Sequence, residues 1–336
     1  MRDQPTVSPT VGVVEWFRPD RPGEWQRVEA VVEAVEALGV EHLRFDLSWA
    51  LSMVPGVNEW YDRLFEHLAG RFELLPCVTY TPPSYGVEPS SAAPPKNPKD
   101  YADFLDVAIR RWGHAFETVE LWNEPNGISY WRFDLDPGWR VFREMIAMAG
   151  YWAATHHEKK VVLGGPSPID LGWLGAMFHD GAMDHVHVVG IHGFPGTWDS
   201  PERPGFPWRG WATHVGQVRE LLRRCGSDAE IWITEAGCSS LSGEERQVEV
   251  LADLLEAPVP RVYWYSVHDF EGLTVQEREQ GWVSAHDYHM GLIERGYGSD
   301  GRLLLRPKGL YEVWARGGLD AVRARARGTV GRSLSL

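Results

Sequence analysis

Cysteine is scarce in this chain, with three in 336 residues, at positions 77, 225 and 238. An odd and widely spaced set builds no disulfide framework and offers no metal-ligand spacing. Cys77, inside the apolar run FELLPCVTY, reads as a small buried hydrophobe. Positive charge is also short: 33 Lys and Arg against 47 Asp and Glu leave a formal net charge of −14. A nucleic-acid partner needs a clustered basic surface, so that class is set aside. The one basic run, AVRARARG at 321–328, reads as the last turns of a closing helix, with Gly328 as its cap. No apolar run is long enough to span a membrane, and the opening MRDQPTVSPT has no apolar signal core. The expectation is a cytoplasmic chain with no membrane partner. Three markers are missing as well: a GxGxxG turn after the first strand, which ends in EWFRPDRPG, the Walker A sequence and the GxSxG elbow. Dinucleotide, nucleotide and serine-hydrolase chemistry lose their usual markers with them.

What is present is an ordinary globular composition, 43% hydrophobic and 24% charged, with an unusual 17 tryptophans. Several stand near strand ends or in loops: Trp16, Trp49, Trp122, Trp198, Trp208, Trp264 and Trp282. Flat apolar rings with one polar handle suit the C–H faces of sugars, and they fill large cores equally well.

Strand-like and helix-like segments alternate from end to end. VGVVEWF (11–17), HLRFDLS (42–48), FELLPCVTY (72–80), the run to Glu124, KVVLGG (160–165), HVHVVGIHG (185–193), the run to Glu235 and RVYWYSV (261–267) read as strands. Helical stripes separate them, such as Val28, Val31, Val32, Val35 and Leu38, stopped by Gly39. Asn97 reads as the N-cap of the helix that follows the third strand. A closing helix begins near Pro307. Strict alternation implies a parallel sheet, and eight units favour one closed (β/α)₈ barrel over residues 1–336, an α/β fold. The long segments 81–97, 194–209 and 268–306 all follow strands, so they belong to the face where barrel enzymes carry their sites.

Two of these strands end in a glutamate. LWNEPN at 121–126 carries Glu124, and WITEAG at 232–237 carries Glu235. A carboxylate at the end of a buried strand is costly without partners, and two facing each other across one barrel mouth fit glycosidic-bond hydrolysis. One would protonate the leaving oxygen while the other attacks the anomeric carbon. Asn123 and Glu124 are neighbours, so on a regular strand only one could face the centre; a twist or bulge at the strand end is expected.

On these residues the chain resembles glycoside hydrolase clan A, the retaining (β/α)₈ glycosidases, closest to families 39 and 5. WNEPN at 122–126 and ITEAG at 233–237 carry the resemblance. LRFD at 43–46, VGIHGFP at 189–195, YWYS at 263–266 and the closing HMGLI…DGRLLLRPKGLY at 289–311 extend it over nearly the whole chain. It implies Glu124 as acid/base and Glu235 as nucleophile, with no cofactor and no metal. It implies that Asn123 bonds the sugar 2-hydroxyl, that Arg44 keeps Glu235 ionised, and that His192 lines the pocket. Trp264 would be the platform beneath the sugar, with a cis peptide bond to Tyr265. Tyr80, Tyr85 and Trp282 are loop contributors. His185 and His187 share a strand face but have no third ligand at matching spacing, so a metal there is not expected.

The expected activity is retaining hydrolysis of short β-linked glycosides, β-xylosidase-like in the first instance. A transglycosylase would use the same two glutamates with another acceptor. A catalytically idle sugar-binding barrel would be expected to have lost one of them, and this chain keeps both.

Overall fold

In the computed structural model the described residues are 8–21, 23–270, 284–298 and 303–333. Eight strands form a closed parallel barrel in chain order: β1 (Thr10–Glu15), β2 (His42–Ser48), β3 (Glu73–Thr79), β4 (Thr118–Leu121), β5 (Lys160–Leu163), β6 (Val188–Gly193), β7 (Glu230–Ala236) and β8 (Arg261–Tyr265). β8 pairs with β1 from Thr10↔Arg261 to Val14↔Tyr265 and closes the wall. The connecting helices are α1 (Glu24–Ala37), α2 (Trp49–Ser52), α3 (Val57–Leu68), α4 (Lys99–Trp112), α5 (Arg140–His157), α6 (Leu171–Ala176), α7 (Trp211–Arg224), α8 (Glu244–Leu254) and α9 (Gly309–Ser333). The (β/α)₈ barrel read from the sequence is the fold. Among the described residues, no helix is long and apolar enough to cross a membrane.

The helices form where the sequence supplies a stripe and a start signal. In α1, Val28, Val31, Val32 and Val35 are all buried against the barrel wall. Asn97 accepts the Lys99 N–H at 3.2 Å and caps α4. Asp170 does the same for α6, accepting from Gly172 and Trp173 at 2.8 and 2.9 Å.

Two expectations are corrected at the C-terminal end. Part of the segment 268–306 is an antiparallel hairpin, β9 (Ile293–Tyr297) with β10 (Leu303–Pro307), so Pro307 ends a strand and α9 starts after it. Gly328 does not cap α9, which runs on past it; the left-handed glycine that interrupts this helix is Gly318, at φ 66°.

Val14, Leu75, Val162, Val188, Trp232 and Tyr263 pack inside the barrel as the floor beneath the mouth. Gly12 makes room for them: a Cβ there would stand 2.5 Å from the Tyr263 ring. On β7 the register against β6 jumps from Ile191↔Ile233 to His192↔Glu235, so Thr234 is an extra residue. That bulge turns the end of β7 and aims Glu235 at the mouth.

Candidate active site

Strand β4 stops at Leu121, and the chain leaves it through two left-handed residues, Trp122 at φ 70° and Glu124 at φ 42°. These conformations are costly for non-glycine residues and persist only where the surroundings hold them. Here they do. The Trp122 indole donates to the Tyr130 carbonyl at 3.1 Å, and the Pro125 carbonyl accepts from the Trp139 indole at 2.9 Å. Asn126 takes the Ser167 N–H at 2.9 Å and donates to the Pro168 carbonyl at 3.0 Å, tying the loop after β5 alongside. Leaving the strand this way lets both Asn123 and Glu124 line one cavity, which removes the alternation conflict.

Glu235 faces Glu124 across that cavity, whose volume is about 370 Å³. One oxygen of each carboxyl and one nitrogen of His192 lie within 4.8 Å of one another. Arg44, fully buried on β2, organises the group. Its Nη1 bonds Glu235 Oε1, its Nη2 donates to Asn123 Oδ1 at 2.8 Å, and its Nε donates to Glu120 Oε2 at 2.5 Å. The bond to Asn123 Oδ1 leaves the amide NH₂ of Asn123 for the cavity. Arg44 occupies Oε1 of Glu235, while Oε2 lies 3.8 Å from His192 Nδ1. His192 Nδ1 is 2.9 Å from Glu124 Oε1.

Burial pushes both carboxyls up, Glu124 to about 8 and Glu235 to about 7. Arg44 draws each back down, while Asp287 and Asp199 push Glu124 higher. Because Arg44 bonds Glu235 directly, a single proton shared by the pair sits on Glu124. Burial lowers His192 to about 4, against the pull of Glu235, so its ring is neutral near pH 7. The two carboxyls are therefore set apart as one acid and one anion.

Other residues named from the sequence fall differently. Tyr80 lines the cavity at φ 66°, and its hydroxyl bonds Asp46. Trp264 is not at the mouth. Side chains on β8 alternate, so Tyr263 and Tyr265 turn inward, and Trp264 is buried in the apolar layer between barrel and helices. The aromatic wall expected there is Tyr265, and the non-proline cis peptide is Tyr265–Ser266, one bond further on than the resemblance implied. Tyr85 packs on Trp49 with ring centroids 5.2 Å apart, outside the cavity lining. Trp282 lies outside the described residues. Of the loop tryptophans, Trp16 and Trp198 line the cavity.

Sequence reasoning missed Glu120, Asp46, Thr234, Asp287 and Tyr265. Asp46 stands two residues after Arg44 on the same strand face, and Glu120 stands four before Glu124 in an apolar run. Alternation within those strands was the available signal.

Glu124, His192 and Glu235 are also a donor set that a divalent cation accepts. The Arg44 guanidinium bonded to Glu235 argues against that use, since it puts a fixed positive charge against the same oxygens. His185 and His187, expected on a strand, lie just before β6, and His187 is spent otherwise: its Nδ1 accepts the Val161 N–H at 3.1 Å.

No protein-family model matches the sequence, and no curated protein matches it either. Solved structures do. An endo-laminarinase from Formosa aligns over 84% of this chain and 83% of its own, at TM-score 0.58 and 10% identity. Endoglucanase Cel5A from Thermotoga maritima aligns over 93% and 96%, at TM-score 0.56 and 12% identity. An aphid myrosinase aligns over 91% and 97%, at TM-score 0.55 and 11% identity. At such identities the likeness establishes the barrel, and chemistry has to be argued from the site.

Proposed function

We propose that residues 1–336 are one catalytic domain, a retaining β-glycosidase of the clan A type. Glu235 is its nucleophile and Glu124 its acid/base. The observation that carries this reading is the approach of the two carboxyls across the barrel mouth, with oxygens within 4.8 Å, one on a guanidinium and the other on a neutral imidazole. A carboxyl separation of about 5–5.5 Å goes with a covalent intermediate, whereas inverting enzymes need about 6.5–9.5 Å to seat a water. In the first step Glu235 Oε2 attacks the anomeric carbon, and the bond to the aglycone oxygen breaks as Glu124 supplies its proton. In the second, Glu124 takes a proton from water, which attacks the same carbon and releases Glu235. Asn123 meets the 2-hydroxyl through its amide.

The cavity also supports a substrate class. Besides the catalytic pair its carboxylates include Glu15, Asp46 and Asp287, and its two arginine neighbours are already engaged, Arg44 by Glu120 and Glu235 and Arg203 by Asp199 at 2.6 Å. Anionic sugars meet repulsion there, while Trp16, Trp198, Tyr265 and Phe270 suit the apolar faces of neutral ones. A closed floor under a cavity of this size fits short glycosides, with a β-xyloside the first to try. The names of the similar structures, an endo-laminarinase and an endoglucanase, point toward β-linked carbohydrate.

A panel of chromogenic β-glycosides tests this reading, with the product anomer followed by proton NMR. Neutral β-glycosides should be cleaved with first-formed β product, and β-glucuronides left intact. First-formed α product, or activity on the glucuronide alone, would overturn it. Adding sugar acceptors to the same assay distinguishes hydrolysis from transfer.

The dependence of kcat/KM on pH follows from the two carboxyls. Below the limb of Glu235, near 7, that group takes a proton and cannot attack; above the limb of Glu124, near 8, the acid is lost. A narrow bell on the neutral-to-alkaline side is expected. A maximum near pH 5, falling away on both sides before neutrality, would contradict the assignment.

A further inference from the structure

We infer that Thr234 is a positioning residue that fixes where Glu124 carries its proton, acting through the tautomer of His192; this rests on the glycosidase reading. Thr234 Oγ1 lies 3.0 Å from His192 Nε2, and the opposite ring nitrogen, Nδ1, lies 2.9 Å from Glu124 Oε1. Thr234 and His192 are both fully buried. Among the described residues, the Thr234 hydroxyl has no other hydrogen-bond partner. If Nε2 carried the ring hydrogen and donated to Oγ1, the hydroxyl hydrogen would be left orphaned in a dry site, a costly arrangement. The hydroxyl therefore donates to Nε2, and the ring hydrogen sits on Nδ1.

The consequence falls on Glu124. An Nδ1–H aimed at Oε1 leaves no room for a second hydrogen between the two atoms. The carboxyl proton is held on Oε2, the oxygen that Nδ1–H does not engage. As acid and then as base, Glu124 exchanges its proton at that one oxygen while Oε1 stays bonded to His192. Ser167, Arg44, Asp287 and Asp199 also bear on this carboxyl. None of them fills the place of Thr234, which is reserved by two glycines. A Cβ on Gly165 would stand 2.8 Å from His192 Nε2, and one on Gly190 would stand 2.7 Å from Thr234 Oγ1. The β7 bulge supplies the extra residue.

Nitrogen-15 NMR of histidine-labelled protein reads the tautomer directly, with the His192 signals assigned by their loss in His192→Gln. Nδ1 should be protonated and Nε2 bare. An Nε2–H tautomer in the unmodified protein overturns the proposal, whether or not any substrate is turned over. Thr234→Val, which keeps the shape and removes the hydroxyl, should let Nδ1 accept the Glu124 proton. On glycosides with poor leaving groups kcat/KM should fall about tenfold, within what a general acid contributes, and on activated aryl glycosides less than about twofold. Thr234→Ser should restore both. Equal loss across leaving groups, no loss at all, or failure of serine to rescue would each sink the proposal. Absence of turnover on every glycoside would instead count against the glycosidase reading.

Discussion

Replacing Glu235 with glutamine is expected to remove turnover on every substrate, by about 10⁴-fold or more, because no covalent intermediate can form. The amide keeps the shape and can still meet Arg44 Nη1 through its oxygen, so the fold should hold and the loss should be chemical. Glu124→Ala should differ in kind. An aryl glycoside with a good leaving group needs little protonation, so its glycosylation should survive while substrates with poor leaving groups are barely cleaved. Deglycosylation then lacks its base, and the intermediate should accumulate as a burst. Azide needs no base, so adding it should speed turnover and give a β-glycosyl azide. If Glu124→Ala shows neither leaving-group dependence nor azide rescue, the carboxyl roles are wrong.

The barrel was legible because the sequence repeats one local signal. Apolar β-branched runs stop at Gly or Pro, and apolar stripes at helical spacing follow, as at Val28 to Val35 after β1. Glu124 and Glu235 were legible for a related reason, since each closes such a run. What escaped depended on contacts across the barrel. Arg44 and Glu120 come from β2 and β4, with β3 between them, and they meet only because the sheet curves shut. No pattern within either segment pairs them. Thr234 escaped because its bulge carries no Gly or Pro to mark it. The resemblance implies Trp264 as the platform, whereas the alternation Tyr263, Trp264, Tyr265 favours the tyrosines once Tyr263 is inside. The same periodicity that betrays a strand also decides which of its aromatics can reach a ligand.

Arg44→Met should cost both stability and rate, and the direction of its pH effect separates the roles of the guanidinium. The side chain is fully buried and bonds Glu120 and Glu235, so removing it strands two carboxyls in a dry interior. Breaking a buried pair from one side typically costs about 3–5 kcal/mol, readable as a fall in Tm. Arg44 lowers the Glu235 value, so its loss raises it further above about 7. A carboxyl whose folded value lies above its unfolded one stabilises the fold when protonated, and that contribution is lost as pH rises through the folded value. The Tm deficit should therefore widen from pH 6 toward pH 9. In kcat/KM the acidic limb should move up toward the limb of Glu124 and narrow the bell from below. Glu120→Gln should move the same limb the other way. It leaves Arg44 with Glu235 as the one carboxylate its guanidinium bonds, so the pull on Glu235 strengthens and the limb shifts to lower pH. Opposite shifts in these two variants would place Arg44 as the charge that keeps the nucleophile ionised. Shifts in the same direction, or none, would reduce it to a packing residue.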